Sequence, residues 1–199
     1  MTCARPAGAT VTHADRYVVL YRRILRSTDG DRVLYWGCLR ATAKRTRLTE
    51  ATGKVDFAPI ANTRFRTSRR FVAYVQTRSH QGTADLSIQL FDLRAGRRAA
   101  GTPQTGIPLG GSFLRTEGTW TYSVTELAVS DAGGLAWHEV GRPIPNTDAP
   151  SVETIAVHDA AGTQTVQTSP LGALQGPSIS GDTVTWTAAG TRKTYQLKR

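Results

Sequence analysis

The sequence predicts an all-β domain of stacked antiparallel meanders, and three observations carry that expectation. Polar turns recur along the chain, each followed by an alternating run that ends on an aromatic residue. A second kind of hairpin, with an Asp a few residues ahead of a Gly, follows several of these runs. The composition of the 199 residues, with 19 Gly, 9 Pro and one Met, suits short strands and tight turns rather than helices. A chain of this length buries about 70% of its unfolded surface, enough for one core, and residues 1–199 read as a single domain.

The elements follow in order. Residues 1–15 read as a leader that begins "MTCARPAGAT". An extra strand, "RYVVLYRRIL" (16–25), precedes the first repeat. The repeats align as "STDGDRVLYWG" (27–37), "RTSRRFVAYVQ" (66–76), "AVSDAGGLAWHE" (128–139) and "SISGDTVTWTA" (178–188). Each runs from its turn to Tyr35, Tyr74, Trp137 or Trp186, the expected core aromatics. The turn residues tolerate the left-handed backbone a hairpin needs. The second hairpin appears as "CLRATAKRTRL" (38–48), "IQLFDLRAGRRAA" (88–100) and "IAVHDAAGTQTV" (155–166). In it Asp92 and Asp159 are placed to bond their own turns, with Gly96 and Gly162 supplying a positive φ.

Two hairpins in series make a four-stranded meander, and meanders repeated every 40–50 residues or so mark a β-propeller. The core aromatics are 39, 63 and 49 residues apart. The longest gap holds the Gly/Pro-rich "GTPQTGIPLGGS" (101–112), so residues 101–120 read as a long loop and a candidate binding surface, with Trp120 and Tyr122 just beyond it. The expected architecture is a small propeller, or a propeller-like stack of about four blades, with a β-sandwich as the alternative. A partial blade at each end of the chain would combine to close the ring.

This pattern resembles the secreted or periplasmic β-propeller-like proteins of high-GC bacteria, distant relatives of the WD40-like and TolB-type propellers. The likeness covers most of residues 16–197. The Gly-His and Trp-Asp signatures of WD40 blades and the blade motif of TolB are absent. The resemblance implies a binding scaffold and carries over no catalytic residue.

Cysteine and charge add two expectations. Cys3 and Cys38 have no metal or redox spacing, and a disulfide between them would pin the leader. The alternative is two unrelated thiols in a cytosolic protein. The paired reading places the chain outside the cytoplasm, as a secreted, periplasmic or cell-surface protein, although no signal peptide stands in the sequence. No run of about 18 apolar residues offers a transmembrane segment. The formal charge is +10, and its excess is confined to one half: residues 1–100 hold 19 Lys/Arg and 7 Asp/Glu, residues 101–199 hold 6 and 8. Lys44, Arg45, Arg47, Arg64, Arg66, Arg69 and Arg70 are expected to form one continuous positive surface for a polyanion such as nucleic acid or an anionic cell-wall polymer. The bland reading is a solvated, arginine-rich surface.

Motifs for chemistry are sparse. There is no G-x-S-x-G, no P-loop and no dinucleotide-binding fingerprint, so no cofactor is expected. Nothing in the spacing of the four His residues asks for a metal site, and "TDGD" (28–31) reads as a turn. His138 and Glu139 are neighbours in a strand and should face opposite sides of the sheet, which disfavours joint acid/base work. His158 stands where another repeat has Phe91, a packing position, and His13 and His80 lie in polar, loop-like contexts. The expected function is a non-catalytic binding or scaffold module for an unknown protein or glycan. The alternatives are polyanion binding and a carbohydrate-active enzyme working through a carboxylate pair.

Overall fold

The computed structural model describes residues 2–28, 30–52, 65–80, 83–99, 107–112, 114–115, 118–143 and 149–199. Every regular element among them is a strand, and all pairings are antiparallel. Sheet 1 is ordered β1 (Thr10–Ala14), β2 (Val18–Leu25), β3 (Arg32–Leu39), β4 (Lys44–Thr52). Sheet 2 runs β5 (Arg66–Ser68), β6 (Phe71–His80), β7 (Thr83–Asp92), β8 (Arg97–Arg98), with β9 (Ile107–Ser112) also pairing to β7. Sheet 3 is β10 (Leu114–Arg115), β11 (Gly118–Val129), β12 (Leu135–Pro143), β13 (Val152–Asp159), β14 (Gly162–Pro170). Sheet 4 has three strands, β15 (Leu174–Ser180), β16 (Thr183–Ala188) and β17 (Thr191–Gln196).

The repeat alignment holds in space. Tyr35, Tyr74, Trp137 and Trp186 lie on β3, β6, β12 and β16, and all four are buried. The turns that precede these strands reach positive φ at Gly30, Arg69, Gly133 and Gly181. In the second repeat an arginine takes the place that glycine fills in the others (φ 47°). Asp92 Oδ1 accepts from the backbone N–H groups of Arg94 and Ala95, Asp159 Oδ1 accepts from that of Ala161, and Gly96 and Gly162 have positive φ.

Alternation gives every strand two faces, and the hydrophobic clusters show which sheets those faces meet. One cluster joins sheets 1 and 2 through Leu20, Tyr35, Leu48, Val72, Tyr74 and Leu93. The next joins sheets 2 and 3 through Phe71, Ile88, Leu90, Leu127 and Trp137. A third joins sheets 3 and 4 through Ile155, Val157, Val184, Trp186 and Leu197. Among the described residues no such cluster joins sheet 4 to sheet 1. Nor do the two ends share a sheet: β1 pairs with β2, and β17 with β16. Among the described residues the packing is a row of four antiparallel sheets.

Each end of the row is finished differently. The outer face of sheet 1 is covered by residues 3–9, where Cys3 and Ala9 pack on Val19, Tyr21, Cys38 and Trp36. The outer face of sheet 4 presents Ser178, Ser180, Thr183, Thr185, Thr187 and Thr194 in register, a polar terminal surface of the kind that ends a stack.

Candidate functional site

The cysteines form the expected disulfide. Cys3 and Cys38 are joined with Cα atoms 6.0 Å apart, and the Tyr21 hydroxyl donates to the Cys3 carbonyl at 2.8 Å. The tied segment is shorter than the fifteen residues read as a leader, because β1 begins at Thr10.

The basic residues divide. On β4, Lys44 pairs with Leu39 and lies on the face toward sheet 2. Arg45 and Arg47 pair with Cys38 and Trp36 and lie on the leader face. Arg47 is engaged by Glu50, Arg69 by Asp131 at 2.5 Å, and Arg70 by Asp92 at 3.1 Å. Arg45 donates to the Ala4 carbonyl and Arg66 to the Phe65 carbonyl. Among the described residues no carboxylate lies within ion-pair distance of Lys44, Arg45 or Arg66. Arg64 lies outside the described residues, as do the side chains of Trp120 and Tyr122. Of the stretch read as a long loop, residues 107–112 and 114–115 are strands β9 and β10, and Trp120 belongs to β11.

His138 and Glu139 do face opposite ways. The Glu139 carboxylate lies between sheets 2 and 3, beside Trp137, whose Nε1 donates to it at 3.4 Å. Burial pushes the Glu139 carboxyl above its ordinary range, and the indole N–H only partly offsets that. His138 lies between sheets 3 and 4. A register shift falls between Val124 and Glu126, and the hydroxyl of Thr125 there meets His138 Nδ1 at 2.8 Å. His138 Nε2 faces Glu153 Oε1 at 3.7 Å, while Glu153 Oε2 accepts the Leu174 N–H of sheet 4 at 2.8 Å.

Two further histidines sit in strands rather than loops. His80 ends β6, and His13 is part of β1. His13 joins Asp15 and Thr67 in a cluster that the sequence does not announce, since Thr67 is 54 positions away. Its Nε2 lies 3.3 Å from Asp15 Oδ2 and 3.2 Å from Thr67 Oγ1, and Thr67 Oγ1 donates directly to the same Asp15 oxygen at 2.5 Å. A nucleophile–base–acid relay needs the two ring nitrogens to serve different partners, so this arrangement is a tie between sheets 1 and 2. Burial would raise the Asp15 carboxyl, but bonds from Thr67, the Val18 and Tyr17 amides and His13 hold it below the ordinary range.

The concave feature that gathers several sheets is a cleft of about 520 Å³. It lies where the β11–β12 turn, the β13–β14 turn and the end of sheet 4 converge. Its lining is poor in side chains: Ala132, Gly133, Gly134, Ala160, Ala161 and Gly162 come from the two turns. Leu90 and Leu197 give it an apolar wall, and His158, Asp182, Lys198 and Arg199 give it polar and charged groups. Packing enforces glycine at two of these positions. A Cβ at Gly134 would come within 2.8 Å of Leu197, and one at Gly133 within 2.9 Å of the Phe71 ring. Asp159 fixes the cleft's frame by accepting from the Lys198 amide at 2.9 Å and the Tyr195 hydroxyl at 3.2 Å, both across the gap to sheet 4. Its burial acts to raise the carboxyl, and the bonds from Lys198, Ala161 and Tyr195 outweigh it and leave the group lowered. His158 Nδ1 meets Thr163 Oγ1 at 2.8 Å, and Arg199 Nε donates to Asp182 at 2.5 Å. No functional signal for this cleft is legible in the sequence, because Ala and Gly in turns read only as turn formers.

No protein-family model matches the chain, and no curated protein matches it. Among the described residues no helix is long and apolar enough to cross a membrane.

Proposed function

We propose that the chain is a non-catalytic binding or scaffold module of propeller-like construction, working outside the cytoplasm, with its ligand seated in the cleft between sheets 2, 3 and 4. The cleft itself carries this reading. Two turns of sheet 3 and the end of sheet 4 converge on a concavity that backbone and small residues floor, and charged groups rim it, as suits a polar glycan or peptide segment. The Cys3–Cys38 disulfide supports the compartment, and the row of aromatic-cored meanders supports kinship with secreted propeller-like proteins. Ala161→Trp tests it, because that exposed turn position admits a bulky ring into the cleft. Against arrays of cell-wall glycans and extended peptides, the wild type should retain a ligand that the variant loses at unchanged stability. Equal retention by both would remove the cleft. Release of new reducing ends from the glycans would replace binding with carbohydrate cleavage.

A second reading rests on Lys44, Arg45 and Arg66, the described members of the expected basic set that have no carboxylate partner among the described residues. They would hold a polyanion at the edges of sheets 1 and 2. Retention on heparin should then fall steeply with salt, and Arg45→Glu with Arg66→Glu should flatten that slope.

A further inference from the structure

The strand that follows each core aromatic, β4, β7, β13 or β17, is treated differently from sheet to sheet. In sheets 2 and 3 it is covered by a further strand: β8 and β9 lie beside β7, and β14 beside β13. Among the described residues β17 pairs only with β16, and its residues are exposed except for Tyr195, which is half-buried. The direction of its unused hydrogen bonds can be read from the ladder. The Leu197 N–H donates to the Asp182 carbonyl at 2.8 Å, so Leu197 and Asp182 are a hydrogen-bonded pair. Such pairs alternate, which turns the backbone groups of Tyr195, Lys193 and Thr191 toward β16. Those of Arg192, Thr194 and Gln196 point away from the sheet.

Charge separates this edge from the covered strands. β17 carries Arg192 and Lys193 with no acidic residue, and among the described residues no carboxylate pairs with either. The covered strands β7 and β13 contain no Lys or Arg at all. Cations along an open edge repel a second copy of the same edge. They attract an extended strand of the opposite charge.

We infer that the free β17 edge is a docking site for an extended acidic segment of a partner protein, which adds a fourth strand to sheet 4 through the outward backbone groups of Arg192, Thr194 and Gln196. Main-chain hydrogen bonds supply the attachment and the two cations the selectivity, as in other strand-addition complexes. The inference does not rest on the cleft, although Leu197, Lys198 and Arg199, which follow β17 directly, help line it.

The test uses the whole chain and two synthetic peptides, acetyl-Glu-Val-Thr-Val-Glu-Val-amide and the same peptide with Lys in place of Glu. With the acidic peptide, amide exchange at Arg192, Thr194 and Gln196 should slow by about tenfold or more, while Lys193 and Tyr195, already bonded to β16, change little. The Lys peptide should give no protection. Arg192→Glu with Lys193→Glu should reverse the preference. Thr194→Pro should abolish binding, since it removes only an outward N–H, and retained protection at Lys193 and Tyr195 would confirm that the strand persists. Equal protection by both peptides, or none by either, overturns the inference. Protection of the same three amides by self-association, seen as a concentration-dependent mass in sedimentation, also overturns it by making a second copy the occupant.

Discussion

Strands β13 and β17 occupy corresponding places in their sheets and live under opposite conditions. β13 lies between β12 and β14, with Ile155 and Val157 in the sheet 3–4 cluster on one face and Ala156 in the sheet 2–3 cluster on the other. Among the described residues β17 has one strand neighbour and a solvent-facing side of Thr, Arg and Gln. The difference teaches what a row of sheets requires. Interior sheets can be apolar on both faces because neighbours cover them. Terminal sheets must finish their own surfaces, sheet 1 with a tied leader and sheet 4 with hydroxyls and cations.

The contrast can be broken most sharply from inside. Trp137→Ala, in sheet 3, should cost about 3–5 kcal/mol, read as a shift of the denaturant midpoint at constant slope. Tyr195→Ala, at the terminal sheet, should cost far less, because that ring is only half-buried. Equal losses would mean that the interior and the ends are not distinct. Cutting the tie at the other end comes next. Cys3→Ser with Cys38→Ser should lose about 2–4 kcal/mol, with exchange rising first in β1 and β2 and sheets 3 and 4 slower to follow.

Two carboxylates sharpen the comparison with opposite signs. Asp159 bridges sheets 3 and 4 with a lowered folded pKa, so its contribution is present above its unfolded value and is lost as pH falls through the folded one. Asp159→Asn should therefore destabilise at neutral pH and flatten the loss of stability below about pH 4. Glu139 is held inside the interior with a raised folded pKa. Its contribution is favourable below the unfolded value and is lost as pH rises through the folded one. Glu139→Gln keeps the acceptor for Trp137 and should gain roughly 1 kcal/mol at neutral pH. A loss there would mean that the ionised carboxylate is stabilised by something other than the indole. The smallest effect belongs to the open edge: Arg192→Thr with Lys193→Thr should change stability by less than about 0.5 kcal/mol, because no carboxylate among the described residues pairs with those charges.

Much of this architecture was legible in the sequence, for particular reasons. Turn residues punctuate the chain and alternation marks the strands, so the order of meanders, the four core aromatics and the Asp–Gly hairpins could be read directly. So could the opposed faces of His138 and Glu139, because a period of two leaves no other arrangement. Lys44 and Arg45 are adjacent in sequence and on opposite faces of β4 for the same reason that separates His138 from Glu139. The Thr67–Asp15 tie and the cleft were invisible, because each depends on how separate sheets are docked, and no local pattern records that.

The ladder of pairings also orders events in time. Apart from β9, which returns to β7, each strand pairs with a neighbour in sequence. A chain emerging from its amino end can thus zip each sheet as soon as its last strand is free, without waiting for distant residues. Cys38 lies on β3, so the bond to Cys3 can close while everything from Phe71 onward is still unmade. The latch that finishes one end of the row is available before the second sheet exists, giving each later sheet a completed surface on which to assemble.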